Sequence, residues 1–187
     1  MGDQGGEGEV EEVRAELLKV GDAALGEPGE LLGREGEVLD AEGRRLRQAV
    51  GDEIQLMLDP NNGYGFRKAL EIGRALEDNG FYWYEDPLKD GGVSHSAYRR
   101  LRQALKAPLL QGEHLHLVEA HADMAIADAT DFWRADPNYD GGITGVMKIA
   151  HAAEGLGMDV ELHGAGPAQR HCMAAIRNSK FYEMTLV

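Results

Sequence analysis

Three times in succession, between Ile54 and Glu113, an apolar strand-like segment runs into a single carboxylate. Ile54-Gln55-Leu56-Met57-Leu58 ends at Asp59, Phe81-Tyr82-Trp83-Tyr84 at Glu85, and Pro108-Leu109-Leu110-Gln111-Gly112 at Glu113. The acids stand 26 and 28 residues apart, about the length of one strand, loop, helix and loop in a βαβ fold. Parallel strands of one sheet end side by side, so residues distant in sequence meet on one rim. The series continues through strands expected at 132–136, 158–163 and 181–186, which bring Asp136, His163 and Glu183 to that rim at further intervals of 23, 27 and 20 residues.

Helical patterns fill the gaps. After the turn Pro60-Asn61-Asn62-Gly63, a helix from about Phe66 to Asn79 carries Leu70, Ile72, Ala75 and Leu76 as a core stripe, and Asn79-Gly80 stops it. Ser94 is expected to cap a helix reaching about Ala107, with Tyr98, Leu101 and Leu105 on one face. Further helices are expected near 115–124, from Gly141-Gly142 to Glu154, and over 168–177, with an amphipathic one from Val38 to Val50. Residues 21–36 hold five glycines and a proline and read as a loop, while a strand is possible near residue 17. Residues 1–10 read as a disordered acidic, Gly-rich leader, and residues 11–187 as one partial barrel domain. Strict alternation of strand and helix predicts an α/β fold, an incomplete or modified TIM-type (β/α) barrel with parallel strands. A closed barrel of eight units needs about 250 residues, and this chain has 187.

A net charge of −14, from 33 acidic against 19 basic side chains, argues against nucleic-acid and anionic-membrane partners and favours metals or small molecules. No apolar run approaches the roughly 20 residues of a membrane span. The single cysteine, Cys172, forms no internal disulfide and reads as a small buried residue, which places the chain in a reducing, cytoplasmic compartment.

Three carboxylates without Cys or His make an all-oxygen set suited to a hard cation such as Mg²⁺. The competing reading, that each acid only pairs with a lysine or arginine or faces solvent, stays open at this point. Asp136 and His163 can pair so that the carboxylate orients the imidazole as a general base. Asn61, two residues after Asp59, and His114, after Glu113, are candidates for substrate contact. His116, Lys148, Arg170 and His171 read more plainly as helix or helix-start residues.

Leu58-Asp59-Pro60-Asn61-Asn62-Gly63, Tyr84-Glu85-Asp86-Pro87-Leu88, Gln111-Gly112-Glu113, Asp140-Gly141-Gly142-Ile143-Thr144-Gly145 and Glu161-Leu162-His163 together resemble the barrel domain of the enolase superfamily, mandelate racemase subgroup. The resemblance covers about residues 54–187. It implies that Asp59, Glu85 and Glu113 bind Mg²⁺, which holds a substrate carboxylate and stabilises the enediolate left by removal of the adjacent proton. It further implies His163, oriented by Asp136, as the acid/base, and Glu183 as a hydrogen-bond donor to the substrate carboxylate. The pattern departs at the expected Lys-x-Lys pair, where Leu17-Leu18-Lys19 offers only Lys19. The expected function is therefore dehydration of a sugar acid centred on His163. A racemase or epimerase of a 2-hydroxy acid, or a noncatalytic fragment retaining the metal ligands, are the alternatives. The N-terminal α+β capping domain of such enzymes is not read in this chain, and an open barrel's free edges lead to the expectation of a homo-oligomer.

Overall fold

The computed structural model describes residues 35–184, with side chains from residue 41 onward. The leader at 1–10, the possible strand near residue 17 and Lys19 lie outside the described residues. The element order is α1 (Glu35–Val50), β1 (Met57–Leu58), α2 (Phe66–Asp78), β2 (Trp83–Glu85), α3 (His95–Ala104), β3 (Leu109–Gln111), α4 (Leu117–Ile126), β4 (Phe132–Ala135), α5 (Gly142–Gly155), β5 (Val160–Leu162) and α6 (Pro167–Ala175). The five strands form one parallel sheet in the order β1-β2-β3-β4-β5, so neighbours in sequence are neighbours in space. This is a curled partial (β/α) barrel. No helix among the described residues is long and apolar enough to cross a membrane.

Register partners in a parallel sheet point to the same face, and successive residues alternate. One face carries Tyr84, Leu109, Trp133, Ala135, Val160 and Leu162, and these are buried against the helices. Helix α2 meets that layer with Ala69, Ile72, Gly73 and Leu76, spaced i, i+3, i+4 and i+7 as a helical stripe requires. Helix α3 adds Tyr98 and Leu101, and α5 adds Val146, Ile149, Ala150 and Ala153. Burying side chains of the size of Ile72 or Leu101 contributes about 1.5–3 kcal/mol each. The opposite, barrel-inner face carries Glu85, Leu110, Phe132, Arg134 and Glu161. Below the acids it is closed by aromatic rings, with Trp83 and Phe181 edge-on at 5.2 Å and Tyr82 stacked on Phe132 at 5.9 Å.

Several boundaries differ from the sequence expectation. The first strand begins at Met57, because Arg47 captures the Ile54 carbonyl at 2.6 Å and leaves the Ile54 side chain 52% exposed. The expected strand 181–186 contributes one parallel bridge, Leu162 to Tyr182. The Glu161 carboxylate accepts the N–H groups of Lys180 and Phe181, which a longer ladder would have used. Ser94 occupies the cap position of α3 without a side-chain cap; instead Asp90 accepts the N–H groups of Gly92 and Ser94. Cys172 is buried in α6 as expected.

Candidate active site

Asp59, Glu85 and Glu113 come to one corner of the rim from β1, β2 and β3, and a ligand oxygen from each lies within 4.8 Å of the others. Asp59 is fixed by the turn that follows it: Asn61, with φ 44°, donates its N–H to Asp59 Oδ1 at 2.8 Å. Asn tolerates that left-handed backbone better than most residues. Glu85 is buried, and its Oε1 has no hydrogen-bond partner. Desolvation pushes the Glu85 carboxyl up to about 8, against the lowering pull of Arg134 and with further lifting by Asp59, Asp86 and Glu183. Desolvation likewise raises Asp59, opposed by the Asn61 N–H and reinforced by Glu113.

Glu113 reaches this corner through an irregularity. By register Gln111 shares the outer face with Trp133, so simple alternation would send Glu113 outward as well. Gly112, with φ 139°, breaks the alternation and turns Glu113 inward. Its bare Cα also lies against β4, where a Cβ would stand 2.4 Å from the Arg134 carbonyl and 3.0 Å from His121 Nε2. Only glycine meets both conditions.

His163 lies beside the acids. His163 Nδ1 donates to Asp136 Oδ2 at 2.6 Å, and His163 Nε2 faces Glu113 Oε1 at 3.3 Å. Asp136 is buried; its Oδ1 accepts the N–H and side-chain amide of Asn138, at 2.7 and 2.8 Å. Its own N–H donates to Asp140 Oδ2, while Asp140 Oδ1 accepts the Leu117 N–H. Asp140 thus ties the loop after β3 to the loop after β4. With Nδ1 committed as a donor to a carboxylate, Nε2 is the nitrogen left to exchange a proton with a substrate.

Glu183 joins the group through Arg134, whose Nη2 donates to Glu183 Oε2 at 2.5 Å; the Gly164 N–H donates to the same oxygen at 2.8 Å. Arg134 Nε also stands 2.8 Å from Glu85 Oε1. The pairing of acids with a basic side chain, left open by the sequence, is therefore realised at Glu85 and Glu183. His114 accepts the Asn62 side-chain amide at 2.6 Å and forms a second acid-rich group with Asp86 and Glu113. Burial holds the Asp86 carboxyl well above the carboxylate range, its Oδ2 having no hydrogen-bond partner. Asn61 is exposed on its turn, and Lys148, Arg170 and His171 are exposed on their helices. His116 is exposed and stacks on Tyr139 at 5.5 Å.

The residue missed in sequence is Arg134. It precedes Asp136 by two on a strand and shares its inward face, a spacing that gains meaning only once the neighbouring strands are placed.

Residues 36–187 match the family model described as Enolase C-terminal domain-like. The chain belongs to that family. An arabinonate dehydratase of Saccharolobus solfataricus is 31% identical to this enolase C-terminal domain-like chain over 147 residues, 76% of the chain and 39% of the relative. A D-glucarate dehydratase of Agrobacterium tumefaciens, solved in complex with magnesium, superposes with a TM-score of 0.76 at 34% identity, over 82% of this chain and 40% of that one. A mandelate racemase/muconate lactonizing enzyme of Polaromonas sp. JS666 superposes with a TM-score of 0.69 at 28% identity, over 78% and 40%. The chain spans less than half the length of these relatives.

The donor chemistry fits a divalent ion. Three carboxylates converge into an all-oxygen donor set of the kind a hard divalent cation takes, and Glu85 Oε1 has only the unaligned Arg134 Nε beside it.

Proposed function

We propose that this enolase C-terminal domain-like chain carries the acid/base and metal-binding half of a Mg²⁺-dependent sugar-acid dehydratase. The observation that carries the proposal is the contact of His163 Nε2 with Glu113 at 3.3 Å. It sets a base, oriented from behind by Asp136, against a carboxylate of the candidate metal corner. Asp59, Glu85 and Glu113 would hold the ion, which when bound supplies Lewis-acid stabilisation of negative charge on a substrate carboxylate.

The chain's own residues then define the reaction. His163 Nε2 takes the proton from the carbon next to the substrate carboxylate, and the C–H electron pair becomes the new C=C bond. Buried Asp136 stabilises the resulting imidazolium. Cleavage of the C–O bond at the β carbon, with return of the His163 proton to the departing hydroxyl, releases water and restores the neutral base. Glu183 holds the guanidinium of Arg134, which also stands beside Glu85. The dehydratases among the relatives support this direction over racemisation. A cytoplasmic, homo-oligomeric protein acting on a small sugar acid completes the reading, with the buried single cysteine in keeping with a reducing compartment.

Two experiments test it. Calorimetric titration should detect one Mg²⁺ site that Glu85→Gln abolishes; silence from the unsubstituted chain at millimolar Mg²⁺ would sink the metal assignment. Incubation in D₂O with a panel of aldonates and aldarates should show exchange of the α proton by NMR. General-base catalysis contributes about 10²–10⁴-fold, so His163→Asn is expected to lose at least that factor. Exchange undiminished in His163→Asn would remove the base from its role.

A further inference from the structure

Arg134 is the one lysine or arginine buried among the described residues, where it stands with the buried acids Glu85, Asp86, Asp136, Asp140 and Glu161. Its charge favours the ionised forms of Asp59, Glu85, Asp86 and Glu161. A guanidinium does not shed its proton to escape burial, so this positive charge is permanent.

Its two contacts differ in kind. Toward Glu183, Nη2 makes a true hydrogen bond at 2.5 Å, onto an oxygen also held by the Gly164 N–H. Toward Glu85, Nε and Oε1 stand 2.8 Å apart, yet neither atom has a hydrogen-bond partner, because the N–H is not aligned with the oxygen. The first contact is directional and doubly supported. The second is an unaligned close approach, and the atom it engages belongs to the candidate metal corner.

We propose that Arg134 is a built-in counter-cation, anchored on Glu183 and resting on Glu85 until a divalent ion displaces it, so that it lowers the affinity of the site for Mg²⁺. The proposal rests on the reading of Asp59, Glu85 and Glu113 as ion ligands. Without the ion, the guanidinium offsets like charges that would repel one another in a poorly solvated interior. When the ion arrives, only the misaligned contact is given up, while the hydrogen bond to Glu183 is kept. The remaining cation still repels the incoming one, which sets the affinity below what three carboxylates alone would give.

The test is a calorimetric Mg²⁺ titration of the unsubstituted chain, Arg134→Gln and Arg134→Lys, with circular dichroism to verify folding. Arg134→Gln is expected to bind Mg²⁺ at least about tenfold more tightly, and Arg134→Lys, which keeps the charge, close to the unsubstituted chain. A purely structural role predicts the opposite sign, since Glu85 would lose a neighbour that places it. Unchanged or weaker binding by folded Arg134→Gln overturns the proposal. Should the variants fail to fold, the ¹⁵N-resolved Nε–Hε resonance of Arg134 in the unsubstituted chain decides. It is expected to move with the calorimetric saturation curve, and a resonance that stays in place overturns the proposal. Binding of Mg²⁺ by neither the unsubstituted chain nor Arg134→Gln sinks the ion-ligand reading too. Binding by the unsubstituted chain with no gain in Arg134→Gln sinks only the role of Arg134.

Discussion

Glu85 shows what gathering acids costs at the scale of single residues. In the metal-free protein, burial pushes its carboxyl from 4.5 up to about 8. Folding therefore takes up a proton across that window, and this contribution to stability is full below pH 4.5 and is lost as the pH rises through 8. One such group changes stability by at most about 1.4 kcal/mol per pH unit. Metal-free thermal melts at pH 5 and pH 8 should show a larger fall for the unsubstituted chain than for Glu85→Gln, whose amide does not titrate. Saturating Mg²⁺ should remove most of that difference. Equal pH dependence in the two proteins would show that Glu85 does not titrate in this range. The strand-end acids were legible in sequence because each closes an apolar run. Arg134 was not, because one charged residue inside Phe132-Trp133-Arg134-Ala135 looks like an interruption of a strand until its neighbours across the sheet are known.

Among the elements, β3 and β4 meet at a constrained point that shapes the site. Gly112 must adopt φ 139° to turn Glu113 inward while its Cα lies against the backbone of Arg134. Strain at that φ and the clash of a Cβ with a carbonyl predict that Gly112→Ala costs about 3 kcal/mol or more. A urea denaturation midpoint measures this; a loss below about 1 kcal/mol would mean that the strand shifts without penalty. The positions of helices and strands were legible, since the 3.6-residue stripe of α2 and the apolar runs before each acid survive folding almost unchanged. Their ends were not. Ile54 and the segment after Asn178 have strand-like side chains, but backbone groups near them are bonded by Arg47 and Glu161. Such side-chain captures depend on tertiary position and leave no local signature.

For the whole molecule, the sheet of the described residues ends on β1 at one side and on β5 with its single bridge at the other. Exposed strand edges invite pairing with a further chain. Light scattering coupled to size exclusion at micromolar concentration is expected to give at least twice the 20.4 kDa chain mass, whereas a monodisperse monomer would show that the edges are otherwise covered. The parallel order of the units was legible from the intervals between acids alone, because a βα unit has a nearly fixed length. The serial order of the sheet also gives the site a history in time. Asp59, Glu85 and Glu113 are all joined to the growing chain at least 50 residues before His163, a lag of about 3–10 s or more at common rates of synthesis. On the ribosome, the acids that would grip an ion precede the base that would use it.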